Sequence, residues 1–343
     1  MLLLRPLARL LPALIPILTG CSKGPAWGSE NAVIAAVDPA LREDLEPVLR
    51  DGFEREVFTT RNEAVFEVTF ASSEDLGEFR RWRRIVVVGA ADEGGLAADL
   101  LGGADLAAAR AGGVVAEVHD EWALRQKIWV VSGPTAEATV ELARTAVDSL
   151  YQVLFDDYVA MEVAQMWVSG RDSPLFEDLM DEQGFGIVLP QVYRAAEMSV
   201  PPGTRTWYNE NPRRVVSVIW QESPITLAPD SVLAMRRSWG AALFPGDTLP
   251  LTLDGTSVEP DSFAVPEPVV VGQATLDGRP AVRLQGVWHN ATDRTSGVFV
   301  TYAVVCSGRL VFLDGNLFAP ERPKLPYVIQ FDQIFSTFRC AGA

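Results

Sequence analysis

The stretch that decides the fold is residues 269–313, which read VVVGQATLDGRPAVRLQGVWHNATDRTSGVFVTYAVVCSGRLVFL. Runs rich in β-branched and aromatic residues alternate here with short polar turns, which is typical of strands. The four predicted strands cover 269–276, 280–288, 298–305 and 309–313. Asp277-Gly278 and Ser307-Gly308 tolerate the positive φ angles of two-residue hairpin turns. The stretch therefore predicts an antiparallel sheet.

Helical patterns stand on both sides of these strands. Asp230 is a good N-cap for a helix that runs to about Leu243. A segment with five prolines, 245–268, follows it and is predicted to be an exposed loop. Pro326 suits the first turn of a final helix. The apolar face of that helix consists of Val328, Phe331, Ile334, Phe335 and Phe338.

The first half of the chain has a similar layered pattern. Strands are predicted at Asn31–Val37 and Ile85–Gly89, and a hairpin at Val114–His119 and Lys127–Ser132. A long helix follows from Thr135 to about residue 155. The predicted fold class is therefore α+β, with two layered halves in which mostly antiparallel sheets are covered by helices.

The pattern also predicts the domain boundaries. These are a signal peptide at 1–20, a tether at 21–30, an N-terminal half at 31–165, a connector at 166–184 and a C-terminal half at 185–343. The two halves echo each other, because Arg83–Val88 resembles Arg213–Val218. This similarity suggests an internal duplication, which requires the same strand order in both halves.

The N-terminus predicts export and lipid attachment. Arg5 and Arg9 precede a short apolar core, which is typical of a secretory signal and too short to span a bilayer. Leu18–Cys21 resembles the lipobox of bacterial lipoproteins, in which the cysteine is acylated and becomes the first residue. Ser22, where an Asp tends to mark retention at the inner membrane, favours the outer membrane, facing the periplasm or the cell surface. The alternative is a plain signal peptide with a chance cysteine.

The other two cysteines are Cys306 and Cys340. An exported compartment permits disulfides, so a bond between them is the simplest expectation. The alternative is a pair of buried free thiols.

Charge and motifs exclude several classes of function. The chain has 29 basic against 45 acidic residues and a formal charge of −16, which argues against a nucleic-acid partner. It has only 2 histidines, and neither an H-E-x-x-H motif nor a phosphate-binding G-x-x-x-x-G-K-[ST] loop occurs. We therefore expect no metal site and no cofactor.

The histidines are also the main candidates for catalysis. His119 precedes two acidic residues at a predicted hairpin turn, and His289 lies near a strand end. An envelope hydrolase could use His119 or His289 with carboxylates. The simpler interpretation is a solvated turn for His119 and a surface or partly packed side chain for His289.

The densest basic segment surrounds a tryptophan. Four arginines flank Trp82, namely Arg80, Arg81, Arg83 and Arg84, and together they could stack on and pair with an anionic partner. Alternatively, they cover a helix end and pair with nearby acids. Trp288 and His289 form a second candidate binding pair.

The second half also carries a family resemblance. The segments that carry it, with the lipobox and residues 53–70, are Phe185–Pro190, Arg205–Trp207, Arg214–Trp220, the helix Asp230–Leu243 with Arg236, Gly286–Trp288, Gly297–Val300, Phe318–Pro320 and Lys324. In this order they resemble the bacterial lipoprotein family known as domain of unknown function 4837. The resemblance implies an envelope location and this architecture, and it transfers no catalytic residue.

Together these patterns predict an acyl-anchored envelope protein that is a non-catalytic binding or assembly module. Its partners would be the membrane, through lipid at Cys21, and an envelope protein, glycan or small ligand.

Overall fold

A computed structural model describes residues 23–92, 94–197, 201–222, 227–243, 247–248, 269–290 and 294–342. The predicted signal peptide, Cys21 and nearly all of the proline-rich loop at 245–268 lie outside the described residues.

The helices and strands follow one another along the chain with few long connections. The first seven strands are β1 (Ala32–Val37), β2 (Glu56–Phe58), β3 (Asn62–Ala64), β4 (Glu67–Ser72), β5 (Arg84–Val88), β6 (Val114–His119) and β7 (Lys127–Ser132), of which β2 and β3 form a two-stranded sheet of their own. The later strands are β8 (Phe185–Gly186), β9 (Arg194–Ala195), β10 (Thr204–Glu210), β11 (Arg213–Glu222), β12 (Asp247–Thr248), β13 (Val270–Leu276), β14 (Arg279–Asn290), β15 (Thr295–Cys306), β16 (Arg309–Phe318) and β17 (Arg339–Cys340). The α-helices are α1 (Arg42–Phe53), α2 (Leu96–Leu100), α3 (Gly103–Ala111), α4 (Ala136–Met166), α5 (Ser173–Gln183), α6 (Pro229–Leu243) and α7 (Leu325–Ser336). Short 3-10 helices cover Pro39–Leu41, Gly77–Arg81 and Trp167–Ser169.

The first sheet has a parallel centre. Its strand order is β4-β1-β5-β7-β6. Strand β5 pairs in parallel with both β1 and β7, and β6 closes the sheet as the predicted antiparallel partner of β7. Strands β1 and β5 are buried along their whole length, as parallel strands covered on both faces usually are.

The second sheet is antiparallel throughout and contains the four strands predicted at 269–313. Its order is β12-β14-β15-β16-β11-β10-β9, and β13 pairs with β14. Both predicted hairpin turns are present, with positive φ at Asp277 and Gly278 and at Ser307 and Gly308. The α+β fold class, with mostly antiparallel sheets, is confirmed.

Helices cover both faces of the second sheet, because alternate strand residues point to opposite sides. On one face Val300 lies in the same apolar cluster as Phe331 and Phe335 of α7. On the other face Phe299 packs with Val232 of α6. A disulfide joins Cys306, at the end of β15, to Cys340, in β17 after the final helix.

The chain divides into two compact units. Among the described residues, unit 1 contains 23–29, Ile34–Pro39 and Phe70–Thr139, and unit 2 contains Glu30–Val33, Ala40–Thr69 and those from Val140 onward. Two early pieces of the chain therefore belong to the unit that holds the second sheet. The predicted connector at 166–184 contains α5, whose N-cap is Asp172.

The internal duplication is wrong, because the two segments that suggested it pair differently. Strand β5 in Arg83–Val88 lies between two parallel neighbours. Strand β11 in Arg213–Val218 lies between two antiparallel neighbours, β10 and β16. The shared arginine pair therefore reflects two similar strand starts in unrelated sheets.

The tether at 21–30 also needs correction, because its described part is bonded to unit 1. Pro25 forms a β-bridge with Leu124, and Trp27 forms one with Trp82. The backbone N–H of Leu124 donates to Gly24 O at 2.9 Å. Composition alone predicted a free segment, since small and turn-forming residues are typical of linkers and of irregular edge segments alike.

Candidate functional site

Unit 2 contains an open cleft of about 1060 Å³. Four parts of the unit supply its walls: the C-terminal end of α4 with the turn after it, the loop at 190–194, the β10–β11 hairpin and the start of α7. Glu30, before β1, adds one further lining residue. The hairpin turn contains a cis peptide bond between Asn211 and Pro212. Asn209 Oδ1 accepts a hydrogen bond from the Asn211 N–H at 3.0 Å and so shapes the same turn.

Three side chains of the cleft lining form a chain of polar contacts. Arg214 Nη1 donates to Gln330 Oε1 at 2.6 Å, and Gln330 Nε2 donates to Glu162 Oε2 at 3.5 Å. Glu162 is 2% exposed and Gln330 is 7% exposed. The Arg214 guanidinium also lies 5.6 Å from the ring centre of Tyr193 and 5.3 Å from that of Tyr327. These contacts hold one guanidinium in place between two tyrosine rings.

The rim of the cleft is also organised by an arginine. Arg322 Nη2 donates to Asn211 Oδ1 at 2.8 Å, which joins the start of α7 to the hairpin turn. Arg322 Nη1 lies 3.4 Å from the Tyr327 hydroxyl. The Arg322 side chain therefore positions both the Asn211 amide and the Tyr327 ring at this rim.

Several polar atoms around the cleft have no hydrogen-bond partner among the described residues. Within the lining these are Arg214 Nε and Ser169 Oγ. The buried Tyr193 hydroxyl, next to the lining residues Val192 and Arg194, is a third. Burial raises the pKa of Tyr193 to about 12, with the Arg214 charge acting against that rise, so the hydroxyl keeps its proton near neutral pH. Buried polar groups normally have partners, so these atoms are candidates for contact with a ligand.

The lining is rich in groups that both donate and accept hydrogen bonds. Five amide side chains line the cleft: Gln165, Gln191, Asn209, Asn211 and Gln330. Tyrosines 208 and 327 add flat apolar surfaces with polar tips. Charges are balanced, with three arginines against three glutamates, namely Arg194, Arg214 and Arg322 with Glu30, Glu162 and Glu210. Such a surface suits a polar ligand of low net charge.

A buried ion pair fixes the helix that forms one wall of this cleft. Glu63 Oε2, on the β2–β3 hairpin, accepts the backbone N–H groups of Lys324 at 2.7 Å and Leu325 at 3.2 Å. Glu63 Oε1 lies 3.8 Å from Lys324 Nζ, and both side chains are buried. A carboxylate at the start of α7 satisfies helix N–H groups and interacts favourably with the helix dipole.

The predicted catalytic histidines lie elsewhere. His119 is 61% exposed, and its Nε2 lies 3.4 Å from Glu117 Oε1. His289 pairs with Ser296 in the β14–β15 ladder. The two histidines belong to different sheets and different units, and no histidine is among the residues that line the cleft in the described part of the chain.

Each of the two predicted binding groups loses one member, because that residue is buried. Arg84 is completely buried in β5, so only Arg80, Arg81, Trp82 and Arg83 remain near a surface. Trp288 is 9% exposed and lies against Phe318 in the core beneath α6, with the rings tilted by 43° and their centres 6.2 Å apart. Trp288 is thus a core residue.

Arg236, which the family resemblance included, lies in a buried network under α6. Its Nε donates to Asp314 Oδ1 at 2.7 Å and to Thr301 Oγ1 at 3.1 Å, and its Nη2 donates to Asn316 Oδ1 at 2.9 Å. Since each group in this network is satisfied, it fastens α6 to the sheet and needs no ligand.

The described residues contain neither a metal-binding cluster nor a membrane-spanning helix. No cluster of three or more His, Cys, Asp or Glu side chains there could hold a metal ion. No helix among them combines the length and the apolar character needed to cross a membrane.

Sequence reasoning did not find the cleft. Its residues come from separate segments between Glu30 and Gln330, and only tertiary packing brings them together. The sequence offered one signal, because prolines interrupt the helix and strand patterns at three of the four walls. They are Pro190 in the loop, Pro212 in the hairpin turn, and Pro323 and Pro326 at the start of α7.

Comparison with solved structures gives low similarity. The chain is similar to cyanobacterial PsbP from Synechocystis sp. PCC 6803, at 15% identity over 46% of this chain and 86% of that chain, with a TM-score of 0.31. It is similar to LpqN, involved in cell envelope biogenesis of Mycobacterium tuberculosis, at 13% identity over 46% and 83%, with a TM-score of 0.28. A Bacteroides thetaiotaomicron structure matches at 8% identity over 46% and 45%, with a TM-score of 0.27. These likenesses are too weak to carry an argument.

Sequence comparison is more specific. No curated protein matches the chain. One family model matches residues 174–337, and its description is domain of unknown function DUF4837. This range includes α5, the whole second sheet and α7, and it contains most of the cleft. In agreement with the resemblance of its sequence motifs, residues 174–337 of this chain are a domain of the DUF4837 family.

Proposed function

We propose that this protein is an acyl-anchored lipoprotein of the bacterial cell envelope, and that unit 2 is a non-catalytic module that binds a glycan segment in its cleft. The lipobox at Leu18–Cys21 supports the anchor, and Ser22 favours the outer membrane. The observation that carries the binding function is the amide- and tyrosine-lined cleft with unpartnered polar atoms at Arg214 and Ser169.

A glycan fits this lining better than a charged ligand does. Sugar hydroxyls both donate and accept hydrogen bonds, and so do the amide groups that dominate the walls. Tyrosine rings offer flat faces for the apolar side of a sugar ring. The volume of about 1060 Å³ is at the upper end for small-molecule sites, which leaves room for more than one sugar unit.

The binding function can be tested by titration calorimetry. The first probe is an N-acetylglucosamine trimer, followed by a panel of neutral and N-acetylated oligosaccharides. We expect one of these to bind, and Arg214→Ala to weaken its binding by about tenfold or more, because a hydrogen-bonded charge would be lost. The matched control is Arg205→Ala, since Arg205 pairs with Glu182 outside the lining.

Two results would refute the glycan function. One is that no oligosaccharide in the panel binds, although the protein is folded. The other is that Arg205→Ala weakens binding as much as Arg214→Ala does, because the effect would then be unrelated to the cleft.

The anchor is tested separately. Mass spectrometry of the protein purified from its own membrane should find an acyl-modified Cys21 as the first residue. Cys21→Ser should release the protein from the membrane fraction. An unmodified Cys21 inside a longer chain would overturn the anchor.

A further inference from the structure

The segment that follows the predicted anchor is bonded to unit 1. Lys23 Nζ donates to Asp120 O at 2.6 Å. The backbone N–H of Ala26 donates to Leu124 O at 2.9 Å, and that of Trp27 donates to Arg81 O at 3.0 Å. This segment therefore follows the surface of the unit from its first described residue.

Covalent geometry then limits where an acyl group can be. Cys21 is two residues before Lys23, and two residues of chain span at most about 7 Å. Acyl chains on Cys21 would thus enter a bilayer close to the surface around Lys23. The surface formed by residues 23–28, 79–83 and 120–125 is called the anchor-proximal face below.

The side chains on this face match a membrane surface. Trp27 is 48% exposed and Leu124 is 47% exposed. The exposed cations are Lys23, Arg80, Arg81 and Arg125, against the exposed acids Asp120 and Glu121. This basic excess is local, because the whole chain carries −16. Tryptophan is enriched at membrane interfaces, and arginine and lysine are attracted to anionic lipid.

The anchor-proximal face is held together from within by Gln126, which is completely buried. Its Nε2 donates to Arg80 O at 2.6 Å and to Trp82 O at 2.7 Å, and its Oε1 accepts the Trp122 N–H at 3.0 Å. The Arg80 guanidinium lies 5.8 Å from the Trp122 ring. One side chain thus fixes the basic segment and the turn at 120–125 in a single arrangement.

We propose that the anchor-proximal face is a membrane-docking surface that lies against an anionic lipid leaflet, with Trp27 and Leu124 at the headgroup level. This inference rests on the proposed acylation of Cys21, and it adds that the protein has a fixed side toward the bilayer. The local basic excess on this face also explains why an acidic protein can approach an anionic leaflet.

The test uses the mature chain with Cys21→Ser, which lacks acyl groups, and vesicles with 30% phosphatidylglycerol in phosphatidylcholine. We expect binding that weakens as salt increases. Trp27→Ala and the double variant Arg80→Gln, Arg81→Gln should both weaken it, the latter by about fivefold per arginine removed. The matched controls are Val168→Ala, at an 82% exposed apolar position, and Arg144→Gln, at an exposed position in α4.

The outcomes separate the docking surface from the anchor. Binding that depends on Trp27, Arg80 and Arg81 supports the docking surface, whatever mass spectrometry finds at Cys21. An acylated Cys21 together with no vesicle binding by the mature chain, or with equal losses in the control variants, overturns the docking surface and leaves the anchor intact. Circular dichroism of each variant confirms that it is folded.

Discussion

Replacing Glu63 with alanine should destabilise unit 2 by about 3–5 kcal/mol, which is the typical cost of leaving one partner of a buried ion pair alone. Glu63 accepts two backbone N–H groups at the start of α7 and lies beside the buried Lys324 ammonium. Burial lowers the pKa of Lys324, while the Glu63 carboxylate acts against that shift. Without Glu63, the helix start loses its acceptor and the ammonium loses its counter-charge.

The measurement is urea unfolding followed by tryptophan fluorescence. The matched control is Glu56→Ala in the same hairpin, where the carboxylate is exposed, and its effect should stay within about 0.5 kcal/mol. Adding Lys324→Met to Glu63→Ala should restore part of the lost stability, because the unpaired charge is removed. A loss below about 1 kcal/mol for Glu63→Ala, or no recovery in the double variant, would refute the role assigned to this pair.

Three further predictions concern unit 2. Reduction of the Cys306–Cys340 disulfide, which closes a loop with a sequence separation of 34, should lower the free energy of unfolding by about 3–4 kcal/mol. The pKa of Tyr193 is raised from 10.0 to about 12, so the unfolded chain loses this proton first and stability falls as pH rises through that range. Tyr193→Phe has no such proton to lose. Between pH 9 and pH 11, the free energy of unfolding of the native chain should therefore fall by about 1 kcal/mol more than that of Tyr193→Phe. Gly297→Ala should cost about 3 kcal/mol or prevent folding, because its Cβ would lie 1.9 Å from Leu317 O.

Each of these three predictions can be checked by a stability measurement. Unfolding in urea with and without reductant measures the disulfide, and equal midpoints would contradict its role. The native chain and Tyr193→Phe are compared at both pH values, and parallel pH profiles would exclude the titration of Tyr193. Gly240→Ala, in helix α6 with open space around the added Cβ, is the control for Gly297→Ala and should be neutral or stabilising.

Local turn chemistry was the most reliable source of prediction. Asp277-Gly278 and Ser307-Gly308 adopt positive φ at both positions, as the sequence indicated, and the strands on either side pair as hairpins. A two-residue turn fixes strand direction and register within a few residues, so no distant contact is needed. The β6–β7 hairpin, which was predicted from the strand patterns on either side of a longer loop, also pairs antiparallel.

The sequence patterns did not predict which distant segments of the chain contact each other. The apolar run at Ile85–Val88 predicts a buried strand, but nothing in it identifies β1 and β7 as its neighbours or shows that both pair with it in parallel. Likewise, Glu63 and Lys324 are separated by 261 positions, and neither has a sequence pattern that indicates the other. The cleft residues depend on such contacts, so they could be found only in the folded structure.

The contact between Glu63 and Lys324 also bears on how this family is delimited. The family match begins at residue 174, yet the start of α7 relies on a carboxylate more than a hundred positions upstream of that limit. The segment that the family model matches is therefore shorter than unit 2, the compact unit in which that segment folds. A fragment cut at residue 174 would leave the Lys324 ammonium without its counter-charge, so experiments on this family should keep residues 40–69 and α4 with the matched segment.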